Sequence, residues 1–443
     1  MGVLFRCVRI VVNLLRDWHT VNKGRIEWKE AQVTTQPQTS DDAAAPPAPT
    51  RRRPRDRKAQ IVKVAARAFS ERGYHSVGVD EIAAEVGISG PALYRHFPNK
   101  YALFVAAADE SVLALIRATD CAEPYKDPRE QLEARITELI SITIENRRFG
   151  GIYRWEGRYL EEPDRERIGA YFTELNRRLI EPLRALRPDL VDQDLSMLAA
   201  ATLSVIASIT VHRIALPASR IEALTRNLAQ NVVTIDLPPP PNEPTTQPTE
   251  RSGLTMNSKR EMLILAALDI FHDNGYHDSN IEDIGAAAGI NASSVYRYFA
   301  SKAELLAAVY YRANDRLAMA TSEALGASAT PDEALGKLVE RYVSLSFAAP
   351  KQLAVYFAEF GNLPASERSV LRSLQRQHIE EWVHLLTTVY PATPAVDARF
   401  RVHAALGMVL DVGRLIRFDR STQSHDRVCA LMRNVLFEGH ESS

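Results

Sequence analysis

The side chains of this chain that could do chemistry occur twice. Four of them return at a constant separation of 202 residues: His75, Tyr94, Arg95 and Lys100 recur as His277, Tyr296, Arg297 and Lys302. Imidazole is the commonest acid–base catalyst, but no Cys, Ser or carboxylate motif accompanies either histidine. We therefore predict that this protein is not an enzyme.

The bulk composition narrows the class further. Three cysteines, Cys7, Cys121 and Cys429, are widely spaced and form no CxxC pair, which predicts no metal site and suits a reducing cytosol. We expect no cofactor and a cytoplasmic location. No run of about 18 uncharged apolar residues occurs, so we expect no membrane span. The formal net charge of −1 favours no particular partner.

The repeat defines the organisation of the chain. A period of 202 residues is too long for a solenoid, whose period is roughly 20–50 residues, so we interpret it as a duplicated pair of domains. Apolar residues follow helical spacing in both copies, which predicts an all-α fold. We divide the chain into a largely disordered N-terminal extension (1–50), head 1 (51–104), bundle 1 (105–235), a Pro-rich linker (236–255), head 2 (256–306) and bundle 2 (307–443).

The N-terminal extension has several interpretations. Residues 3–15 are apolar but interrupted by Arg6 and Arg9, and no small-residue cleavage site follows clearly. We interpret them as a dispensable extension or short docking helix, with a mis-assigned start as the alternative and a signal or anchor disfavoured. Residues 32–56 have a disordered composition. In the linker, Pro238 to Pro241 favour a stiff extended strut.

The sequence of each head predicts a helix-turn-helix motif. In head 1 an apolar face over 59–70 predicts a helix that ends at Gly73, and a second helix begins near Val79 and ends at Gly87. Pro91 lies near the start of a very short third helix, and Pro98 ends it. Two short helices joined by a Gly-containing turn place the second in the DNA major groove. A generic helical hairpin is the alternative, which the matching second copy disfavours.

These landmarks resemble the tetracycline-repressor (TetR) family of transcriptional regulators. In head 1 they are Phe69, Gly73-Tyr74, Ile82-Ala83, Gly87-Ile88-Ser89, Leu93-Tyr94, Phe97 and Lys100. In head 2 they are Phe271, Gly275-Tyr276, Ile284-Gly285, Gly289-Ile290-Asn291, Val295-Tyr296, Phe299 and Lys302. They cover about 45 residues per copy, and the bundles resemble the family only in length and helical content. The resemblance implies two reading heads and two effector bundles fused in one chain.

The resemblance also implies a set of DNA-binding residues. Tyr94, Lys100, Tyr296 and Lys302 match positions that usually grip phosphates, and a phenol or ammonium near a helix start suits an anionic oxygen. In head 1 the groove-facing residues would be Ser89, Gly90, Pro91, Ala92, Arg95 and His96. In head 2 they would be Asn291, Ala292, Ser293, Ser294, Arg297 and Tyr298. Some of these side chains could instead only pack or face solvent.

The two heads differ in charge. Residues 51–104 carry eleven Lys/Arg and five Asp/Glu, whereas 253–306 carry four and seven. Because phosphate neutralisation supplies much of protein–DNA affinity, we expect head 1 to bind DNA more strongly. The basic segment 51–58 could enter a minor groove as an arm, or could simply be a solvated tail. The differing recognition helices predict an asymmetric operator, whereas identical heads would read a palindrome.

The heads also depart from the family pattern at the second helix. Head 1 has Val77 and Gly78 where a Ser/Thr pair commonly caps the helix and touches a phosphate. Head 2 has Ser279, a further DNA-binding candidate, and Asn280, which together predict a better cap. Gly285 stands where alanine is usual and is expected to weaken its helix by roughly 1 kcal/mol.

The bundles are expected to hold effector pockets or simply cores. Candidate pocket residues in bundle 1 are Arg154, Trp155, Arg158 and Tyr159, and in bundle 2 they are Phe357 and Phe360. Aromatic walls with a few polar anchors suit a ligand site, and ordinary packing with surface ion pairs is the alternative. If both pockets exist, the second should be the more apolar.

The last long helices of each module, 195–216 and 397–418, are predicted to pair, as such helices do in the dimers of this family. Small residues allow close approach: Ala199, Ala200, Ala201, Ser204, Ala207 and Ser208. Asp411 and Arg414 could bond across this interface or lie on the surface. We predict a monomer in which the two modules form a pseudo-dimer, with like-with-like pairing of two chains as the alternative.

These observations predict a transcriptional regulator that binds double-stranded DNA and responds to an unknown small-molecule effector, and we favour a repressor. An effector would act by shifting the separation of the heads. The alternative is a ligand- or partner-binding protein in which one or both heads no longer bind DNA. The acidic balance of head 2 motivates that alternative.

Overall fold

The computed structural model describes residues 54–120, 125–148, 152, 157–240 and 258–437. Residues 1–53, and with them the predictions for the N-terminal extension, lie outside this range. The described part is helical and lacks strands. This confirms the all-α prediction and the arrangement of two tandem modules.

Head 1 consists of three helices around one apolar core. These are α1 (Pro54–Arg72), α2 (Val79–Val86) and α3 (Gly90–Tyr94). The segments between them turn sharply because Gly73 and Gly87 adopt positive φ angles of 83° and 75°, which disfavour a side chain. Ile61, Phe69 and Leu93 are fully buried, so the core fixes how α3 stands on α1.

The segments of bundle 1 continue the first module. They are α4 (Lys100–Ala118), α5 (Pro128–Glu145), a 3₁₀ turn (Gly157–Tyr159), α6 (Glu162–Leu186), α7 (Asp192–Ala207) with a further 3₁₀ turn (Ser208–Thr210), and α8 (Ala218–Thr234). Helix α4 also packs against α1. The long helix α4 is therefore shared between head 1 and bundle 1.

The second module repeats this order. Its head consists of α9 (Lys259–Asn274), α10 (Ile281–Ala287) and α11 (Ala292–Val295). Its bundle consists of α12 (Lys302–Gly326), α13 (Pro331–Ala348), α14 (Pro350–Ala358), a 3₁₀ turn (Phe360–Asn362), α15 (Ala365–Val389), α16 (Ala395–Leu415) and α17 (Thr422–Phe437). The two modules are thus built from corresponding helices.

The separation between corresponding helices changes along the chain. Lys100 and Lys302 open α4 and α12 at the predicted separation of 202. Asp192 opens α7 and Ala395 opens α16, which makes the separation 203. The ranges expected for these last helices, 195–216 and 397–418, are 202 residues apart and so miss this shift by one residue. The shift is already present at Pro128 and Pro331, where α5 and α13 begin.

The two modules meet through their last helices, as predicted. Helix α7 packs along α16, and α8 packs on α17. Asp194 of module 1 pairs with Arg427 of module 2, and Asp397 of module 2 pairs with Arg220 of module 1. The two ion pairs are reciprocal across the interface. This arrangement is the intrachain pseudo-dimer.

Close packing of small residues accompanies these pairs. Ala199, Ala201 and Ser208 are almost fully buried on α7 and the turn after it. The Ser204 hydroxyl donates to the Asp411 carboxylate across the interface. Arg414 lies near Asp411 on its own helix, at 3.9 Å. Of the two residues predicted to cross the interface, Asp411 thus makes the crossing contact.

One described segment, Asp192–Thr210, is long and apolar enough to cross a membrane by length and composition, with a mean hydropathy of 1.3. The sequence analysis assigned most of it to the pairing helix 195–216. In the structure 67% of it is buried inside the protein. This burial is typical of a core helix, and the segment forms the centre of the pseudo-dimer interface.

Candidate nucleic-acid interface

The recognition helices α3 and α11 present similar exposed side chains. Tyr94 and Tyr296 follow the last buried residue of each helix and are 49% and 54% exposed. Arg95 and Arg297 are exposed beside them. Phenol and guanidinium groups on one exposed edge can donate to phosphates and base edges. Both tyrosines are therefore surface residues and not part of the core of their head.

The remaining groove-facing candidates lie on the same short helices. Ser89, Pro91, Asn291 and Ser293 are exposed, whereas Gly90, Ala92, His96, Ala292, Ser294 and Tyr298 are partly exposed. The Asn291 side chain accepts a hydrogen bond from the Ser294 amide at 3.1 Å and so caps α11. Ser89 makes no such side-chain cap at α3. The assignment of these residues to DNA contacts stays a prediction.

The Ser279 prediction is wrong in its geometry. Ser279 is 4% exposed, and its hydroxyl donates to the Gly275 carbonyl inside head 2. The cap of α10 is Asn280, whose side chain accepts from the Asp283 amide at 2.7 Å. In head 1 the corresponding Gly78 has no side chain to cap α2, as expected.

The two lysines predicted to grip phosphates have structural partners. Lys302 donates to the carbonyls of Tyr276 and Ser279 at 2.6 and 2.7 Å, and its Nζ lies 4.3 Å from the Tyr276 ring centre. Lys100 donates to the His75 carbonyl at 3.2 Å. Burial lowers the pKa of both lysines. Each lysine thus holds the turn between the first two helices of its head.

The basic segment 51–58, at the start of head 1, could form a shorter arm than the sequence suggested. Helix α1 begins at Pro54, so residues 54–58 belong to the helix. Arg57 donates to the Val86 carbonyl at 3.3 Å, and Lys58 lies 5.4 Å from the ring centre of Phe97. Both residues hold α1 against the rest of head 1. Residues 51–53 lie outside the described range.

Gly285 has a packing role that the sequence analysis did not foresee. A Cβ atom at this position would meet the Ile290 carbonyl oxygen at 2.6 Å and the Val295 side chain at 3.1 Å. The expectation that glycine only weakens α10 is therefore incomplete. In this head, Gly285 lets α10 approach the turn and the recognition helix closely.

The two heads contact each other through the histidines of the repeat. The rings of His75 and His277 stack with centres 4.4 Å apart and an angle of 30° between them. His75 also contacts the Tyr159 ring at 4.4 Å, and His277 bonds Asn362 at 2.8 Å. Tyr159 and Asn362 belong to the 3₁₀ turns of the two bundles. This head junction is therefore where both heads and both bundles meet.

The pocket candidates are only partly described. Arg154, Trp155 and the Arg158 side chain lie outside the described residues. Tyr159 packs at the head junction, Phe360 contacts Tyr310 with ring centres 5.9 Å apart, and Phe357 contacts Tyr356 at 5.7 Å. Their assignment to a ligand pocket stays a prediction.

Polar groups enter bundle 2 at positions that the sequence analysis missed. Arg316 donates to Gln352 at 2.7 Å, and Trp382 donates to His378 at 3.3 Å. Burial lowers the pKa of His378 to about 4 and raises that of Tyr342. The expectation that a pocket in bundle 2 would be the more apolar of the two stays a prediction. A comparison of corresponding positions in the two modules could have found these polar residues. At the position of His378 in module 2, for example, module 1 has Leu175.

Comparisons with known proteins agree with this geometry. The profile of the bacterial regulatory proteins of the tetR family matches residues 61–107 and 263–309, one match per head. The HTH-type transcriptional activator FasR of Mycolicibacterium smegmatis is 36% identical over 114 residues, which are 25% of this chain and 52% of FasR. The HTH-type transcriptional repressor LfrR of the same organism is 31% identical over 161 residues, 36% of this chain and 81% of LfrR.

Structural comparison gives a further likeness. A TetR-family transcriptional regulator from Bordetella parapertussis has 21% identity and a TM-score of 0.38, covering 41% of this chain and 96% of that one. The chain spans about half or less of several curated relatives that it matches.

The fold and the two heads define a protein with two helix-turn-helix domains, each followed by a helical bundle. The chain belongs to the tetR family of bacterial regulatory proteins, as a tandem duplication with two such heads.

Proposed function

We propose that this protein is a ligand-responsive repressor that reads an asymmetric operator with one chain. The observation that carries this proposal is that the two recognition helices of one pseudo-dimer differ in sequence. Helix α3 has the sequence GPALY, and α11 has the sequence ASSV. Different groove-facing side chains favour different half-sites. The division into heads, bundles and linker given above is part of the proposal, as is a cytoplasmic location.

The ion pairs between the modules support a monomer in solution. The Arg427 side chain is fully buried against Asp194, and its guanidinium also donates to the Pro238 carbonyl at 2.8 Å. Pro238 is the first of the four prolines near the start of the linker. The start of the linker is therefore held at the interface by the same residue that joins the modules.

Release from DNA would proceed through the head junction. Glu359, fully buried at the end of α14, accepts from the Tyr276 amide at 3.1 Å, and Asn362 bonds His277. A ligand that moves α14 would therefore move head 2 relative to head 1. Paired recognition helices must lie about 34–36 Å apart to enter successive major grooves, so a small movement is enough to lower affinity.

Selection of duplexes from random sequence tests this proposal. We expect a non-palindromic site with two different half-sites, and we expect that replacing either half-site by a copy of the other weakens binding. A palindrome that binds the full-length protein at least as tightly would contradict operator asymmetry. The half-site swap provides a control in which length, spacing and salt remain unchanged.

The acidic balance of head 2 favours a second candidate function. In it head 1 alone binds DNA, and module 2 binds a ligand or a partner. Arg297→Ala would then leave the affinity for the selected duplex unchanged, whereas Arg95→Ala would abolish it. If both heads contribute, both variants weaken binding.

A further inference from the structure

Bundle 2 contains a buried amide with an unused donor. Gln352 lies in the first turn of α14, is 5% exposed, and accepts from Arg316 of α12 through its Oε1. This hydrogen bond fixes the orientation of the amide, because a guanidinium can only donate. The Nε2 group then points elsewhere, and it has no hydrogen-bond partner. A buried donor without a partner is unfavourable by about 1–3 kcal/mol. A ligand that offers a hydrogen-bond acceptor to this Nε2 group would remove that cost.

The guanidinium beside it lacks a counter-charge. No carboxylate in the described residues lies within 4 Å of Arg316. Of the acidic residues on the neighbouring helix α9, Glu261 pairs with Arg312 at 2.7 Å, and Asp269 pairs with Lys351 at 2.6 Å. Burial and the neighbouring Arg312 lower the pKa of Arg316, opposed only partly by Glu261. One positive charge and one amide donor thus lie together without a partner anion.

Aromatic side chains continue from this polar pair into the bundle. Tyr356 lies one turn beyond Gln352 on α14, and its ring stacks on Tyr310 with centres 5.3 Å apart. Burial raises the pKa of the Tyr356 hydroxyl and Gln375 of α15 opposes that rise, while Tyr356 in turn helps to raise the pKa of Tyr342. Trp382 is fully buried and meets the Tyr342 ring edge-on at 6.0 Å. These aromatic groups pack against one another inside bundle 2.

Bundle 1 carries none of these groups at the corresponding described positions. At the separations observed between the modules, Ala108 and Ala114 correspond to Tyr310 and Arg316. The counterparts of Tyr342, Gln375, His378 and Trp382 are Leu139, Phe172, Leu175 and Leu179. At these positions bundle 1 has apolar side chains, and its own largely buried Arg135, Arg178 and His212 lie elsewhere. This polar set is therefore specific to bundle 2.

We propose that bundle 2 binds an organic monocarboxylate, whose anionic group contacts Arg316 and Gln352 and whose apolar body lies along Tyr310, Tyr356 and Trp382. This inference rests on the proposed ligand response and names the chemistry of that ligand. A carboxylate fits because a guanidinium and an amide N–H offer two donors for its two oxygens. One positive charge balances one negative charge, which disfavours a phosphate dianion.

The position of the pair also connects the ligand to DNA binding. Gln352 lies at the start of α14, and Glu359, directly after its last residue, holds head 2 through the Tyr276 amide. Tyr310 donates to the carbonyls of Val355 and Tyr356 at 2.9 and 2.8 Å, which holds the same helix to α12. A carboxylate bound at Gln352 would thus act on the helix that supports the head junction.

Calorimetric titration of the full chain tests this inference. The probes are octanoate and 4-phenylbutyrate, each compared with its neutral amide. We expect at least one carboxylate to bind about tenfold or more tightly than its amide, because charge-assisted hydrogen bonds are roughly twice as strong as neutral ones. Arg316→Met should abolish that preference, and Arg316→Lys should retain part of it. Arg376→Met, an exposed site on the outer face of α15, is the matched control and should change nothing.

The outcomes separate this inference from the proposed function. Thermal unfolding of Arg316→Met and Arg316→Lys shows whether each variant folds, and Gln352→Leu provides a second test of the same contact. Binding of neither carboxylate, or equal binding of carboxylate and amide, overturns the inference even if the protein still binds its selected duplex. Tight carboxylate binding by a protein that selects no DNA would uphold the site and overturn the repressor.

Discussion

The two modules share a fold but differ in both halves. Head 1 is basic and leaves α2 without a side-chain cap, whereas head 2 is acidic and caps α10 with Asn280. Bundle 1 is apolar where bundle 2 carries Arg316, His378 and Trp382. In a homodimer one sequence must serve both functions in both subunits. Fusion into one chain removes that constraint, so one module can specialise in DNA affinity and the other in ligand binding.

The interface is where the two modules depend on each other, and it gives the largest expected effect. Arg427→Met should lower the free energy of unfolding by about 3–5 kcal/mol, because it leaves the Asp194 carboxylate buried without a partner. Arg220→Met is the matched variant in the other module. It also leaves a buried carboxylate, that of Asp397, but the charge of Arg401 remains close enough to Asp397 to interact with it, so we expect a smaller loss. Denaturant unfolding measures both. Equal losses of unfolding free energy in the two variants would contradict the expectation that the Arg427–Asp194 pair contributes more than the Arg220–Asp397 pair.

Acid should weaken the same interface. The ring centres of His212 in module 1 and His403 in module 2 lie 4.9 Å apart. Burial lowers the pKa of His212 to about 3 and that of His403 to about 4. The unfolded chain takes up these protons below about pH 6.5, and the folded chain does not. Stability should therefore be complete above pH 6.5 and fall by up to about 1.4 kcal/mol per pH unit per histidine below it.

Unfolding of His212→Phe and His403→Phe between pH 7 and 4 checks this slope. Each variant should lose about half of the dependence contributed by the pair. Arg147, which donates to the His212 carbonyl at 3.1 Å, adds positive charge on the same side and remains in both variants. A slope that both variants leave unchanged would show that other groups titrate.

The contrast between the heads can be measured on DNA. Arg95→Ala and Arg297→Ala each remove one exposed guanidinium, and a good base contact is worth about 1–3 kcal/mol. We expect the larger loss of affinity for head 1, because its basic surface brings it closer to the phosphates. Titration on the selected duplex at two salt concentrations gives the comparison. Equal losses would mean that the charge difference does not decide how much each head contributes.

The smallest effect concerns the caps. Asn280→Ala should destabilise head 2 by about 1 kcal/mol, because it removes the acceptor for the Asp283 amide. Gly78→Asn should stabilise head 1 by a few tenths of a kcal/mol by supplying the missing cap. Amide hydrogen exchange in α2 and α10 measures each head separately. No change in α10 of Asn280→Ala would contradict the cap assignment.

The heads could be predicted from sequence because glycines and buried aromatics mark the ends and the core of each helix. The DNA-facing side chains were harder to assign. Lys302 and Ser279 lie on the same short segments as exposed residues, yet they bond backbone carbonyls of their own head. Motif position cannot show whether a donor turns toward the chain or away from it.

The polar set of bundle 2 was missed for a different reason. Arg316, Gln352 and His378 come from three helices, and helical spacing does not show which helices face each other. A one-residue shift between the modules also hid the correspondence of His378 with Leu175. The predicted ligand pocket included Trp155 and its neighbours because these residues are close together in the sequence. The polar groups of bundle 2 are far apart in the sequence, and only the fold brings them together.

The central claim is that one chain supplies both heads to one operator. The most direct test is the solution mass of the full-length protein, alone and on the duplex that it selects, by sedimentation or native mass spectrometry. We predict the mass of one chain, 49.4 kDa, in the free protein and one chain on each non-palindromic duplex. Two chains on a palindrome would contradict the claim, because each chain would then read DNA with a single head.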